Sequence, residues 1–569
     1  NRYDLFSNQN YFWWSNHQFL THKLIKMIRI KRIIAIFFAT ALLSGCSDEY
    51  LNVEPSDYVS DKQLEDMASL SPEALIKVMQ PKVTGLYSWL TQYNSLGLPS
   101  ANVRHNDFGY TSILLRSELW GQDMIMTGNA YGWLDGDYVY SNWTYTGNDC
   151  LIPWNYFYKL IKSANDIIGA IPETATDTRL KHLRGQALAM RGFAYHNLVQ
   201  LYQFTYKGHE NAAGVPIVVP GMTPEQLANN PRASVAKVYE LIEKDYMTAY
   251  DLLEGFSTAQ KTDVERPIVA GLLARVYLCK EEWVNAAKYA GIARQGLSPM
   301  TAAEYNNDVT GFNEISNPAW MWGADNTIET DIVKSGIINF ISHIGSLSYG
   351  YAYAGKMYKA ISKEVYDRMS NTDERKKAFV GPQGLQMNPK WKLPAYANIK
   401  FKPYKGDILG DDNATDYVFM RVEEMYLIEA EAKAMNNDVL GAKTVLEEMV
   451  KTRDPQYAAN ATTSAGMREE IWWQRRIELW GEGFAWFDLK RLKKGTNRSY
   501  EGSNHRTDAR YSLPAEHGLF LLRIAESELR SNKGIPEEAN NPIAVRPQVF
   551  RLIVFIWQFQ TQKQRGVGV

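Results

Sequence analysis

The residues best able to do chemistry lie in the segment 469–491, which reads EEIWWQRRIELWGEGFAWFDLKR. Glu478 and Glu482 are four residues apart, so they share one face if the segment is helical, and a pair of carboxylates is the catalytic group of most glycosidases. Arg475 precedes Glu478 by three residues, a spacing that favours an ion pair along a helix. A carboxylate paired with arginine has a lowered pKa, which is the wrong direction for a general acid. The segment therefore predicts packing and ion pairing, and a helical glycosidase is the weaker alternative.

The sequence lacks the common catalytic, nucleotide-binding and metal-binding motifs. The sequence has no G-x-S-x-G, HExxH or Walker-type glycine loop, and its nine His show no i,i+4 pairing. Four aspartates between residues 407 and 416 lack the spacing of a calcium loop, which favours a solvated acidic turn over a metal site. We expect no cofactor and no metal.

Aromatic residues are the outlier of the composition, because the 569-residue chain contains 16 Trp and 34 Tyr. These rings must fill a core, form a binding surface, or do both. Many lie in two regions without helical spacing, 104–154 and 310–356, which we expect to be loops or short strands on a helical frame. The candidate ligand-binding residues of these regions are Trp120, Asp123, Trp133, Trp320, Trp322, Tyr349, Tyr351 and Tyr353.

Composition and charge exclude several classes of protein. With 45% hydrophobic and 22% charged residues the chain is not intrinsically disordered. Its 62 Lys+Arg are balanced by 63 Asp+Glu, so no chain-wide basic field would attract nucleic acid. Three Cys are too few for a disulfide framework, although one bridge between Cys150 and Cys279 is possible in an exported protein.

A signal for export begins at Met27, where three basic residues precede the apolar run 33–43. This run is too short to span a hydrocarbon layer of ~30 Å, so it indicates the core of a signal peptide. We interpret residues 1–26 as translated upstream sequence and 27–45 as the signal peptide. The Leu-Ser-Gly directly before Cys46 resembles a bacterial lipobox, in which the cysteine carries several acyl chains and anchors the protein stably.

The opposite end has a different composition. Residues 543–569 contain four basic residues and no acidic one, and 552–557 is an uncharged apolar run. Such a run is an aggregation hazard when exposed. We expect 543–569 to be a tail that does not belong to the natural domain.

Helical periodicity dominates the middle of the chain. Apolar residues recur at three- and four-residue steps over 183–201, which predicts a long amphipathic helix. The segments 271–294 and 427–449 each read helix, short polar turn, helix, with small residues that would let two helices approach closely. Their matched alanines, twelve residues apart, are Ala274 and Ala286 in the first and Ala430 and Ala442 in the second. The pattern resembles the tetratricopeptide repeat, interrupted by a long insertion because 156 residues separate the copies.

Five stretches of the sequence follow one another in the order in which they occur in a known protein family. They are CSDEYLNVEPSDYVS, LRGQALAMRGFAYHNLVQLYQ with GVPIVV after it, YVFMRVEEMYLIEAEAKAM, EEIWWQRRIELWGEGFAWFDLKR and FLLRIAESELRSNKGIPEEANNP. Together they resemble the SusD/RagB nutrient-binding outer-membrane lipoproteins of Bacteroidetes over about residues 46–542. Two positions depart from the family pattern: Ala485 stands where an arginine usually follows the Glu-Gly pair, and Arg523-Ile524-Ala525 replaces Pro-Ile-Pro.

The resemblance implies an all-α fold of about four tetratricopeptide-like helix pairs with an inserted loop-rich, ligand-binding part. It divides the chain into a part over 46–300 with the first helix pairs and a part over 301–542 with the insertion and the last pairs. It also implies a lipid-anchored protein exposed on the cell outer membrane. Such a protein captures oligosaccharide, hands it to a SusC-like TonB-dependent transporter and catalyses nothing.

The aromatic regions suit a sugar ligand, because Trp and Tyr rings stack on the C–H faces of sugars and nearby polar groups bind the hydroxyls. If 349–353 is extended, its three tyrosines point to one face. For any single tryptophan, packing in the core is an equal alternative. Oligopeptide import and a pure interaction scaffold stay open as other functions.

Overall fold

The computed structural model describes residues 71–97, 105–128, 132–141 and 143–547. The α-helices in these ranges are α1 (Pro72–Ser88), α2 (Tyr110–Trp120), α3 (Asp135–Tyr138), α4 (Asn148–Ala170), α5 (Thr178–Tyr202), α6 (Pro224–Ala228), α7 (Val235–Leu252), α8 (Arg266–Lys280), α9 (Trp283–Ala293), α10 (Ala302–Tyr305), α11 (Asp331–Lys334), α12 (Phe340–Ile344), α13 (Tyr351–Ala354), α14 (Lys363–Arg368), α15 (Val422–Met435), α16 (Val439–Val450), α17 (Ser464–Glu478), α18 (Ala485–Arg491) and α19 (Glu526–Ser531). The strands are β1 (Met124–Met126), β2 (Trp320–Ala324), β3 (Lys359–Ile361), β4 (Leu385–Asn388), β5 (Trp391–Leu393), β6 (Tyr417–Arg421), β7 (Thr496–Asn497) and β8 (Ser512–Leu513).

Several segments interpreted above lie wholly or partly outside these ranges, including the stretch CSDEYLNVEPSDYVS that begins at Cys46. The upstream residues, the signal peptide and Cys46 are not among the described residues, and neither is the tail from residue 548 onward. Within the described residues, no helix combines the length and the apolarity needed to cross a membrane.

The helices form a continuous frame in which each packs against the next. Helix α4 packs on α5, α5 on α7, α7 on α8, and α8 on α9. The helix predicted over 183–201 is α5, which Asp177 caps by accepting a hydrogen bond from the backbone N–H of Arg179. Its predicted amphipathic character is wrong. This helix is buried on nearly every side because neighbours cover it from both directions. The prediction of an all-α fold built from helix pairs is confirmed.

The two repeat copies are neighbours in space although the insertion separates them in sequence. Helix α9 of the first copy packs against α15 of the second, and α15 pairs with α16 and α17. All four matched alanines are fully buried, as the close approach of paired helices requires. The two turns also agree: Glu281 (φ 59°) and Asn437 (φ 65°) occupy equivalent positions in the left-handed region. The helical frame therefore runs through the insertion point without a break.

The insertion, residues 294–421, contributes short elements that return to this frame. Strand β2 pairs antiparallel with β6, and Trp320 lies opposite Arg421 at the end of the ladder. Strand β3 pairs antiparallel with β1, which comes from the N-terminal loops. These two pairs connect both aromatic regions to the helices. Strand β6 continues directly into α15.

A cluster of buried charges joins the insertion to the frame. Arg421 donates to Glu478 at the end of α17 (Nη1–Oε1 2.7 Å) and to Glu482 beyond it (Nε–Oε2 2.8 Å). Lys400 donates to the same Glu482 at 2.6 Å. We name the group the ion cluster, and its members are Asp373, Arg375, Lys400, Arg421, Glu423, Arg453, Glu478 and Glu482. All eight are buried, and the four positive groups balance the four negative ones.

Glu478 is the member whose loss should cost most, because Arg375, Arg421 and Arg453 all bind its carboxylate. Replacing Glu478 by glutamine would leave buried guanidinium groups without compensation. We expect the Glu478→Gln variant to lose roughly 3–5 kcal/mol of unfolding free energy. Urea unfolding followed by circular dichroism measures this loss.

The matched control is Glu469→Gln on the same helix, since Glu469 pairs with Lys494 at 2.8 Å in an exposed position. An exposed pair contributes less than about 1 kcal/mol. Equal unfolding midpoints for the two variants would show that the ion cluster does not hold the insertion in place.

Candidate functional site

Three of the predicted ligand-binding tryptophans lie in the core, which corrects the expectation for them. Trp120 is fully buried, and its indole Nε1 donates to Asp137 Oδ1 at 3.1 Å. Trp322 is also fully buried and donates to the backbone oxygen of Thr262 at 3.0 Å. Trp320 lies beside it on β2, a strand whose five residues are all buried. A ring without exposed surface has no face to offer a ligand, so these three tryptophans belong to packing.

Asp123 is corrected for the same reason. Its side chain is buried and accepts hydrogen bonds from Arg476, the shortest of them 2.7 Å. Its backbone oxygen accepts a further bond from the indole of Trp480 at 3.0 Å. The carboxylate is therefore satisfied within the protein and does not face a ligand.

The three tyrosines do not share one face, because 349–353 is not extended. Helix α13 begins at Tyr351 and turns the segment. Tyr349 is 46% exposed, Tyr351 is buried, and Tyr353 is half-buried. The expectation of three aligned rings is wrong, and the two outer rings, Tyr349 and Tyr353, are the accessible ones.

Trp133 is the predicted tryptophan that keeps exposed surface. It is half-buried, and the imidazole of His105 stacks on its indole with ring centroids 3.9 Å apart and planes inclined by 9°. Tyr351 meets the same indole edge-on at 4.5 Å, and its hydroxyl is 2.7 Å from His105 Nδ1. Three distant segments thus fix one indole before any ligand binds.

Tyr349 and Tyr353 form a second group of rings, and Tyr353 belongs to α13. Their centroids are 6.2 Å apart, and Trp391 of β5 meets Tyr353 edge-on at 5.1 Å. Trp391 is held by a hydrogen bond from its Nε1 to the hydroxyl of Tyr358 (3.1 Å). The ammonium of Lys356 lies 4.4 Å from the centre of the Tyr353 ring. We name the two groups together the aromatic platform. Its rings are His105, Trp133, Tyr349, Tyr351, Tyr353 and Trp391, of which Tyr351 and Trp391 are buried.

Buried rings support the platform from below. His343 stacks on Tyr351 at 4.6 Å and on Phe108 at 5.1 Å. Burial, helped by the charge of Lys359, lowers the pKa of His343 well below its ordinary value, so this ring is neutral at pH 7. Burial also lowers the pKa of Lys359 to about 7, although Asp135 opposes the shift. The platform therefore rests on a packed layer of low charge.

Sequence reasoning missed His105, Trp391 and Lys356. His105 lies in the first aromatic region, but a lone histidine in a loop carries no spacing signal. Trp391 lies beyond the second region, on a hairpin that brings it to Tyr353. Only the tertiary structure shows that these residues meet the predicted rings.

The glutamates of the catalytic alternative are buried members of the ion cluster. Burial alone would raise the pKa of Glu478, but Arg453, Arg421 and Arg375 outweigh it and hold the pKa far below its ordinary range. The predicted intrahelical pair is wrong, because Arg475 binds Asp488 instead at 2.8 Å. Glu478 and Glu482 also do not share a helix, since α17 ends at Glu478. Inaccessible carboxylates with lowered pKa values do not suit acid–base catalysis.

Three smaller expectations can be compared with the structure. Cys150 and Cys279 are both free and buried, so the possible disulfide between them is not formed. Asp416 is not a solvated turn residue: it is buried and accepts backbone hydrogen bonds from Ile315 (2.8 Å) and Asn326 (2.7 Å). Across the described residues, no group of His, Cys, Asp and Glu is arranged to hold a metal ion.

Two family models match this chain, one over its N-terminal part and one over its C-terminal part. A family described as "Starch-binding associating with outer membrane" matches residues 70–278, and the SusD family matches residues 288–535. SusD-like protein P38 of Formosa agariphila is 22% identical over 400 residues, which are 63% of this chain and 75% of that protein. SusD-like protein P2 of the same organism is 24% identical over 390 residues, 60% of this chain and 71% of that protein.

Solved structures share the fold. A SusD-like carbohydrate binding protein from Bacteroides vulgatus is similar with a TM-score of 0.69 at 24% identity, over 84% of this chain and 99% of that one. Surface glycan-binding protein A from Bacteroides uniformis has a TM-score of 0.59 at 18% identity, over 82% of this chain and 99% of that one. A laminarin binding SusD-like protein gives the same four values.

Asp123 has an acidic neighbour, Glu118, that makes the stability of the core sensitive to pH. One oxygen of Glu118 accepts hydrogen bonds from the backbone N–H groups of Gly483 (2.8 Å), Phe484 (2.9 Å) and Ala485 (3.3 Å). Burial, and then the charge of Asp123, raise the pKa of Glu118 to about 7. The folded protein therefore binds this proton more tightly than the unfolded chain does.

The stability that Glu118 contributes is fully present below its unfolded pKa of about 4.5 and is lost as the pH rises through about 7. We expect Glu118→Gln, which keeps the accepting oxygen, to gain stability relative to wild type over this pH range, by up to ~3 kcal/mol. Urea unfolding at several pH values measures the difference, with Glu469→Gln as the control. A difference that does not change with pH would contradict the raised pKa.

Proposed function

Because this chain belongs to the SusD family, we propose that it is a glycan-binding protein of nutrient uptake and not an enzyme. The observation that carries the proposal is the aromatic platform. Its accessible rings, Trp133, Tyr349 and Tyr353, are the side chains that stack on the C–H faces of sugar rings. His343 packs beneath Tyr351, which in turn contacts the Trp133 indole, so this ring is held in place before the ligand arrives.

Preorganisation gives the platform its affinity. A sugar that binds flexible rings must offset the entropy of ordering them, whereas Trp133 is already fixed by His105 and Tyr351. Lys356, whose ammonium lies over the Tyr353 ring, adds a donor for sugar hydroxyls. Two relatives with this fold bind glycans according to their names, which supports a sugar ligand for this platform.

We assign catalysis no role here, since Glu478 and Glu482 are buried in the ion cluster. The proposed cycle is capture of oligosaccharide at the platform and delivery to a SusC-like TonB-dependent transporter. The transporter partnership rests on family membership and would be tested by co-purification of the two proteins from outer membranes.

Affinity electrophoresis against a panel of polysaccharides, followed by calorimetry on the best ligand, tests glycan binding. We expect Trp133→Ala and Tyr349→Ala each to weaken binding at least about tenfold, since each removes a stacking ring worth roughly 1.4 kcal/mol or more. Trp283→Ala is the matched control, because Trp283 is a half-buried tryptophan on α9, outside the platform. The same incubations should release no shorter sugars.

Unchanged glycan affinity in Trp133→Ala and Tyr349→Ala would show that the glycan does not bind at the platform. Absence of binding to every glycan, together with tight binding of oligopeptides, would replace the sugar ligand by a peptide. Product release that depends on Glu478 or Glu482 would make the protein an enzyme.

Anchoring to the outer membrane is the second part of the proposal, and it rests on the lipobox before Cys46. Several acyl chains would hold the protein on the membrane, whereas a protein without them is released. We expect Cys46→Ser to abolish incorporation of labelled palmitate and to move the protein from the membrane fraction to the soluble fraction. Unchanged labelling and fractionation would contradict acylation at Cys46.

A further inference from the structure

A second concavity lies apart from the platform, with none of the platform rings among its lining residues. It is a cleft of about 630 Å³ between the end of α1, the loop 260–263, the end of β2 and the residues that lead into α11. Clefts that hold small ligands typically have volumes of roughly 300–1,000 Å³. The volume of the cleft therefore lies within the range of small-ligand sites.

Hydrogen-bonding side chains share the lining of this cleft with apolar residues such as Leu90 and Ala324. The hydrogen-bonding ones include Ser88, Gln92, Gln260, Thr262, Thr327 and Thr330. The aromatic rings in its lining, Tyr87 and Phe419, are buried. The hydroxyl of Tyr87 donates a hydrogen bond to Gln186 Oε1 at 2.8 Å. A ligand in the cleft would be bound through hydrogen bonds to its edges and not by stacking on its faces.

The walls of the cleft are fixed by contacts of their own. The indole of Trp322 donates to the backbone oxygen of Thr262 at 3.0 Å, and Gly323 N donates to the backbone oxygen of Lys261 at 3.0 Å. On the opposite wall, Asp416 accepts from the backbone N–H of Asn326 at 2.7 Å. Thr327 N donates to Thr330 Oγ1 at 3.0 Å. A ligand would meet a preformed surface and would order little of the chain.

The charge of the lining selects against anions. Asp263, Asp325 and Asp331 line the cleft, and no Lys or Arg is among its described lining residues. Glu329 also lines it but is paired with Lys334 at 2.9 Å. Carboxylates accept hydrogen bonds from adjacent sugar hydroxyls, whereas a uronate or a sulfate in the same place would be repelled.

We propose that this cleft is a second binding site, which takes a neutral polyhydroxylated chain such as an uncharged oligosaccharide. The site goes beyond the proposed function, because it binds without stacking and without any residue of the platform. A chain with two independent sites would hold a polymer more firmly than either site alone, by raising the local concentration of the second contact.

The test separates the two sites by building variants in which one of them is removed. The platform is removed by Trp133→Ala combined with Tyr349→Ala. The cleft is blocked by Ser88→Trp, which places an indole at its mouth, and is weakened by Gln260→Ala combined with Asp325→Ala. Ser88, Gln260 and Asp325 are all exposed, so these variants should fold. Ser257→Trp is the control for the blocking variant, since Ser257 is exposed and does not line the cleft.

The probes are a neutral hexasaccharide of α-linked glucose, one of β-linked glucose, and a hexagalacturonate, each titrated by calorimetry. We expect the platform-deficient variant to bind at least one neutral hexasaccharide. Adding Ser88→Trp to that variant should abolish the binding, Gln260→Ala with Asp325→Ala should weaken it at least fivefold, and Ser257→Trp should leave it unchanged. Hexagalacturonate should not bind to the platform-deficient variant.

Three results would overturn the second site: no neutral hexasaccharide binds to the platform-deficient variant, its binding survives Ser88→Trp, or it prefers hexagalacturonate. Failure of the platform is a different result, in which the cleft-blocked variant loses all binding while the platform-deficient variant keeps it. The two sets of variants therefore test the two sites independently.

Discussion

The buried pairing of Arg421 with Glu478 and Glu482 joins the insertion to the helical frame. Around it, the insertion supplies Asp373, Arg375, Lys400 and Arg421, and the helical frame supplies the rest of the ion cluster. Removing these groups from water costs about as much as their attraction returns, so the cluster adds little net stability compared with an apolar contact. We infer that its contribution is specificity, because only one placement of the insertion gives every buried charge a partner. The platform depends on that placement, since Tyr349, Tyr353 and Trp391 all belong to the insertion.

The aromatic richness of the chain divides between two tasks. Trp120, Trp320 and Trp322 are fully buried and use their rings to fill the space between helices and short strands. Trp133 and Tyr349 keep exposed surface. Contacts with His105 and Tyr351 fix Trp133 in one orientation. Core packing and the proposed ligand binding thus use the same residue types, and burial separates them.

Much of the frame can be predicted from sequence, because helix pairs repeat a local pattern. The matched alanines and the twelve-residue step identify α8–α9 and α15–α16 without knowledge of their neighbours. The candidate site is predicted less well. Trp320 and Trp322 alternate as residues of a half-exposed strand would, yet β2 is covered on both faces. Tyr351 is buried because a helical turn starts there, and Trp391 joins the platform through a contact that no local pattern encodes. Exposure of an aromatic ring is a tertiary property, so spacing could not decide it.

Glycan binding by a preformed platform around Trp133 can be tested with a crystal structure of the protein bound to an oligosaccharide. We expect a sugar ring stacked on Trp133, with the indole still parallel to His105 and the hydroxyl of Tyr351 still bonded to the imidazole. A sugar found away from Trp133, Tyr349 and Tyr353, or a Trp133 indole rotated out of its stack with His105, would contradict this expectation.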